Sequence, residues 1–294
     1  MSTFEVYALA IGANLTYSTS SMVFSVYAKR FSSVWINQVK VFVALIAFLI
    51  AMVSMDQLVS VSPNVMALLV LSGFMGLCLG DVFLFRSFTT LGPARSLVLF
   101  SFQPLMLGIY GYFFLDQIFT LNQTIAVICM VICIFIFMLE RNKLTGSWDI
   151  SSFIWAFLGI SLDAIGVMMT REAYEINSGL ETFQVNFIRC IGAIIGFMMM
   201  SPKSYLKIAT DVWSLRKREI SLLFGASFCG CFLSLTMYLA AVKFAHIGTL
   251  TAISITGPVW VSLLECLYHK RLPSMFLVSA FLFFIAGFYL MLIA

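Results

Sequence analysis

Apolar runs of about 20 residues, the length that crosses a bilayer, recur along the whole of this 294-residue chain. Ten can be placed, at 4–27, 35–55, 65–85, 96–115, 121–139, 152–170, 183–200, 219–240, 247–267 and 274–293. A backbone in hydrocarbon must satisfy its own hydrogen bonds, so each run is expected to be a helix. A membrane β-barrel would need short strands that alternate polar and apolar residues, and no such alternation is present. The expected fold is therefore an all-α membrane protein with ten transmembrane helices. The first run has no preceding Lys or Arg and no small-residue cleavage site, so it reads as a retained helix rather than a signal peptide.

Composition agrees. Only 10% of residues are charged and 62% are hydrophobic, against about 25% charged in soluble chains. Little sequence is left over for a soluble domain. The seven cysteines fall in or at the ends of runs and form no CxxC pair, so buried thiols are expected, with neither disulfides nor metal. Two His, no HExxH and no GK[ST] phosphate loop argue against an enzyme or an ATP-driven pump. No cofactor and no nucleic-acid partner are expected.

Excess Lys and Arg mark cytoplasmic loops. The loops after runs 1, 3, 5, 7 and 9 hold 13 of the 17 basic residues, five of them between Lys203 and Arg218. The even loops hold Arg171 and Lys243 beside Asp56, Asp116, Glu172, Glu175 and Glu181. This bias places both termini outside. Lys40 and Arg189 lie within runs.

Those two cations belong to a repeat. The stretch NQVKVFVALI (37–46) aligns with NFIRCIGAII (186–195) at an offset of 149, pairing Asn37 with Asn186 and Lys40 with Arg189. The same register pairs Asn14 with Asp163. Later in each half an offset of 154 pairs Pro104 with Pro258 and Ala126 with Ala280. Five runs per half is an odd number, so halves 1–143 and 144–294 are expected to have opposite orientations. Inverted repeats with a site at their midplane interface are a transporter architecture.

With these features in hand, the chain resembles the EamA group of the drug/metabolite transporter superfamily. The segments LFRSFTTLGPARSLVLFSFQPLMLGIYGYFFLDQ and LTMYLAAVKFAHIGTLTAISITGPVWVSLLECLYHKR are similar to its third-to-fourth helix signature, once in each half. Asp116 and Lys270 stand where that group usually has a glutamate. The resemblance implies ten helices, alternating access, and export or exchange of small metabolites, often amino acids.

Ionisable groups in a bilayer are costly and usually face a cavity or a partner. Lys40 and Arg189, with Asn37 and Asn186 one turn before them, are candidate gate or orienting residues, one near each membrane surface. Lysine snorkelling is the plain alternative. Asp163 lies too deep to snorkel and suits proton coupling or pairing with a substrate ammonium. An interhelical hydrogen bond is the structural alternative. Asn14, Tyr17, Asp81, Phe100, Gln103, Tyr238 and Trp260 complete the substrate or coupling candidates, with Asp81 placed to pair with Arg86. Pro104 and Pro258 are candidate hinges, because proline removes a backbone donor. Gly76 with Gly80, and Gly192 with Gly196, form GxxxG packing sites. The basic stretch 201–219 is expected on the cytoplasmic leaflet.

The functional expectation is a monomeric secondary transporter in a bacterial inner membrane. It would move an amino acid or related compound by alternating access, with protons as a candidate coupling ion and lipid as its surroundings. A carrier of nucleotide-like or cofactor metabolites, and a multi-span membrane enzyme, are the alternatives.

Overall fold

The computed structural model describes residues 3–103, 106, 121–146, 150–244, 256–270 and 272–292. Every regular element among them is a helix. In chain order these are α1 (Thr3–Arg30), α2 (Ser33–Ser54), α3 (Pro63–Leu91), α4 (Pro93–Phe100), α5 (Leu121–Thr145) and α6 (Ile150–Ile176). They continue as α7 (Thr182–Met200), α8 (Pro202–Trp213), α9 (Lys217–Phe244), α10 (Thr256–His269) and α11 (Met275–Leu292). Five of them, α2, α3, α6, α7 and α9, are long and apolar enough to cross a membrane; α5 and α11 carry shorter apolar stretches.

Local chemistry sets the helix ends. Ser32 caps α2 by accepting the Trp35 N–H at 3.0 Å. Ser62 caps α3, with Pro63 in the first turn, where a missing N–H breaks no helical bond. Gly92, at φ +84°, makes the sharp turn from α3 to α4, a backbone region that side chains with a Cβ rarely enter. Glu219 accepts the Arg216 N–H at 2.9 Å at the start of α9.

Amphipathicity is inverted relative to a soluble protein. On α2, Phe42, Ile46, Leu49, Ile50 and Val53 face outward, whereas Asn37, Gln38 and Lys40 are buried. The helical period therefore turns an apolar stripe to the lipid and a polar one to the protein interior. Cys229 also faces outward, unlike Cys78, Cys129, Cys133, Cys190 and Cys231, which are buried. The expectation of uniformly buried thiols fails there because α9 turns that side of its π-helical stretch away from the bundle.

Packing is exchanged between the two parts of the chain. The first helix, α1, lies against α9 and α10, while α6 lies against α3 and α4; α2 meets α7, and α5 meets α11. Helix starts repeat at the offsets read from the sequence: Ser33 and Thr182 are 149 apart, and Pro63 and Lys217 are 154 apart. The extra five residues fall in the stretch that contains α8.

Both α3 and α9 pass through a π-helical stretch, Gly73–Gly80 and Phe228–Leu233. Around the first of these the helices nearly touch. A Cβ added at Gly73 would lie 1.8 Å from the Arg189 carbonyl oxygen, and one at Gly192 would lie 2.0 Å from that of Val70. Bare Cα atoms permit this approach and bring the side chains of α7 up against α3 and α6.

Candidate functional site

The exchanged packing leaves a cavity of about 120 Å³ between α1, α2, α3, α4, α6, α7, α9 and α10. Seven of the eight proposed substrate or coupling residues line it: Asn14, Tyr17, Asp81, Phe100, Gln103, Asp163 and Tyr238. Lys40, Arg189 and Pro258 line it too. Pro104 lies outside the described residues.

Trp260 stands apart. It is 38% exposed, and its indole N–H donates to Thr19 Oγ1 at 3.0 Å. Two residues of helix turn it about 200° from Pro258, and Gly257 and Pro258 face the cavity instead. Pro258 lies within α10, whose described part begins at Thr256.

The charged lining is organised around two helices that meet, α2 and α7. Lys40 is 2% exposed and donates to Asp81 Oδ2 at 2.5 Å. Its ammonium also lies 4.5 Å from the ring centre of Phe85. Partnered in this way, it has no need to snorkel, and it faces the cavity rather than the membrane surface. The expected Asp81–Arg86 pairing is replaced by this one. Five residues along a helix place Arg86 about 140° away from Asp81, where its guanidinium lies 4.2 Å from the ring centre of Trp155.

Arg189 reaches the same cavity from α7. Its Nε donates to Ser72 Oγ at 3.0 Å, and that hydroxyl sits 2.6 Å from both the Gly166 carbonyl oxygen and Thr170 Oγ1. Lys40 and Arg189 therefore do not stand at separate ends of the molecule; both face one chamber. Asn37 and Asn186, each a turn earlier, are fully buried behind them. Asn186 Nδ2 donates to the Leu235 carbonyl at 3.4 Å.

Asp163 accepts a hydrogen bond from Gln103 Nε2 at 2.6 Å. Gly76 of α3 makes room for it: a Cβ there would come 3.1 Å from Asp163 Oδ1 and 3.6 Å from Arg189 Nη2. On the opposite wall, Asn14 Nδ2 donates to Thr256 Oγ1 at 3.3 Å, and Ser18 Oγ donates to the Gly257 carbonyl at 3.0 Å. Within one chamber the site thus offers two cations, two carboxylates, amides and aromatic rings. That set suits a small compound bearing both charges better than an apolar one. Among the described residues no group of His, Cys, Asp and Glu is arranged to hold a metal.

The lining also repeats. Asn14 and Asp163, Ser18 and Val167, and Lys40 and Arg189 are 149 apart; Leu77 and Cys231, Asp81 and Leu235, and Gln103 and Gly257 are 154 apart. Ser18, Leu77, Cys231, Leu235 and Gly257 are not conspicuous in the sequence because none is unusual in an apolar run. The offset of 154, applied to Asp81 and Gln103, would have found Leu235 and Gly257; Ser18, Leu77 and Cys231 pair with no candidate and would still have been missed. Ser72, which steadies Arg189, has no such signal.

One end of the bundle is tied by polar contacts. Arg95 of α4 grips Glu140 of α5 with Nε and Nη2 at 2.6 and 2.7 Å, and Ser274, just before α11, adds a bond of 2.6 Å. Arg30 of α1 pairs with Glu219 of α9 at 2.6 Å. All these groups border the basic loops.

Residues 5–139 match the EamA-like transporter family. No curated protein matches the chain. A solved structure, described only as the crystal structure of a protein, aligns over 98% of this chain and 96% of its own, with a TM-score of 0.64 and 12% identity. That likeness is one of fold, and it extends over both parts of the chain. Over residues 5–139, a little under half of its length, the chain is thus similar to the EamA-like transporter family, a membrane-transporter family of the drug/metabolite transporter superfamily.

Proposed function

We propose that this protein is a secondary carrier that moves an amino acid or a related small compound by alternating access around the cavity at Asp163. In this reading the chain spans the membrane ten times as two five-helix repeats, 1–143 and 144–294, of opposite orientation. Both termini lie outside a bacterial inner membrane, and one copy suffices. The observation that carries it is the mirrored lining. Six pairs of positions, separated by the offsets of the sequence repeat, meet on one chamber.

Such an arrangement lets the two halves rock about a fixed site. The Arg95–Glu140 and Arg30–Glu219 ties lie on the side of the basic loops, so they would hold the cytoplasmic side closed in this conformation. Asp163, hydrogen-bonded but not ion-paired among the described residues, is the candidate proton carrier. A chamber of about 120 Å³ favours a compound of amino-acid size over a nucleotide-like one.

The test is counterflow in proteoliposomes with a panel of labelled amino acids and, separately, nucleotides. Saturable accumulation of an amino acid against its own preloaded pool supports the reading. Non-saturable flux would indicate a channel, and no flux of any compound would reject the substrate class.

A further inference from the structure

Lys40 and Arg189 occupy matching positions but have unequal surroundings, and we propose that Arg189 is the receptor for a carboxylate on the transported compound. The inference rests on the carrier reading above and assigns one group of its substrate to one residue.

Lys40 is already neutralised, with Asp81 2.5 Å away. At the offset of 154, the position that corresponds to Asp81 is Leu235, which lines the cavity on α9. Asn186, one turn before Arg189, donates to the Leu235 carbonyl, so this residue lies beside the same stretch of α7. At the position that gives Lys40 its carboxylate, the matching residue of the other half carries an isobutyl group instead.

The guanidinium is correspondingly incomplete. Arg189 is 1% exposed, its Nε is held by Ser72, and its Nη1 is buried with no hydrogen-bond partner among the described residues. A buried charged donor without an acceptor is unfavourable, and structures rarely keep one without a role. Asp163 stands across the bare Cα of Gly76, yet it is hydrogen-bonded to Gln103, and no ion pair joins it to Arg189 among the described residues.

A carboxylate is the acceptor that a guanidinium binds best, through two parallel N–H···O bonds. A zwitterion then fits the chamber in one sense only. Its carboxylate goes to Arg189, and its ammonium goes toward Asp163 rather than toward the neutralised Lys40–Asp81 pair.

The experiment compares L-amino acids with their carboxamides, which keep the ammonium and lose the anion, as competitors of counterflow by the reconstituted full-length protein. The wild type is expected to prefer the acid at least tenfold. Arg189→Gln should abolish that preference, and Arg189→Lys should retain part of it. Leu235→Asp supplies the missing internal carboxylate, so it should remove the preference from a protein that melts no lower than wild type. Equal competition by acid and amide in the wild type overturns the proposal while leaving the carrier intact. So does a Leu235→Asp protein that still discriminates. Absence of counterflow with every acid and amide rejects the carrier reading for this substrate class and the proposal with it.

Discussion

Lys40 on α2 and Asp81 on α3 form an ion pair of 2.5 Å inside the bundle, with side chains only 2% and 10% exposed. Taking two charges out of water is expensive. Removing one partner is worse, because the other is left buried and uncompensated, typically by about 3–5 kcal/mol. Lys40→Met and Asp81→Leu are each expected to lower the detergent melting temperature sharply. The double variant should recover most of the loss. Additive losses in this double-mutant cycle would show that the two groups do not depend on each other.

The contact between α3 and α7 has no space for side chains at its centre. An alanine Cβ at Gly73 or Gly192 would lie at 1.8 or 2.0 Å from a carbonyl oxygen of the facing helix, and neither oxygen belongs to a movable side chain. Gly73→Ala and Gly192→Ala should therefore destabilise the fold or shift α7, which carries Arg189. Gly225, with nothing near its added Cβ, is the control. Size-exclusion profiles and melting of the three variants check this, and three equal results would contradict the packing.

Asp163→Asn keeps the size and the capacity to bond Gln103, since an amide can also accept the bond that spans 2.6 Å in the wild type. The variant should fold. If Asp163 carries the coupling proton, counterflow of bound substrate persists while the response of uptake to an imposed pH gradient disappears. A variant that still responds to the gradient would remove Asp163 from that role.

Arg95, Glu140 and Ser274 join α4, α5 and the start of α11 at one end of the bundle. Glu140 is 4% exposed, so Glu140→Gln leaves Arg95 poorly compensated and should cost on the order of 3 kcal/mol. Ser274→Ala loses a single bond to a charged group and should cost about 1.5 kcal/mol. Chemical denaturation in detergent ranks the two, and the reverse order would discount the tie.

Single cysteines between 203 and 218, in a cysteine-free background, should react with impermeant maleimide only from the cytoplasmic side. Cysteines at 172–181 should react only from outside. Labelling of the first group from outside would invert the topology and remove the basis for calling the Arg95–Glu140 tie cytoplasmic.

Much of the fold is legible in the chain because a bilayer leaves the backbone few choices. The apolar runs anticipate the helices to within a few residues at most described ends, although α3, α5 and α6 run to Leu91, Thr145 and Ile176 rather than to 85, 139 and 170. The positive stretch 201–219 contains α8 as well as a loop. Lys40, Arg189, Asn14 and Asp163 are conspicuous because polar groups are rare in such runs, and their common offset is plain from residue spacing alone. Trp260 is misplaced by the same reasoning for a simple cause. Nearness to a proline in sequence does not determine which way a helix face points.

What the sequence determined alone was helicity, the candidate polar positions and their repeat, since each follows from local hydrophobicity and spacing. What the tertiary structure decided was which of those groups are satisfied. Lys40 and Asp81 are 41 residues apart, Arg189 and Ser72 are 117 apart, and Gln103 and Asp163 are 60 apart. Partnership across such distances depends on how closely α3, α6 and α7 approach over bare glycine Cα atoms, and no local pattern encodes that. Hence two cations that look equivalent in the sequence differ in the folded protein: Lys40 has its counter-charge in Asp81, whereas Arg189 Nη1 is buried with no hydrogen-bond partner among the described residues.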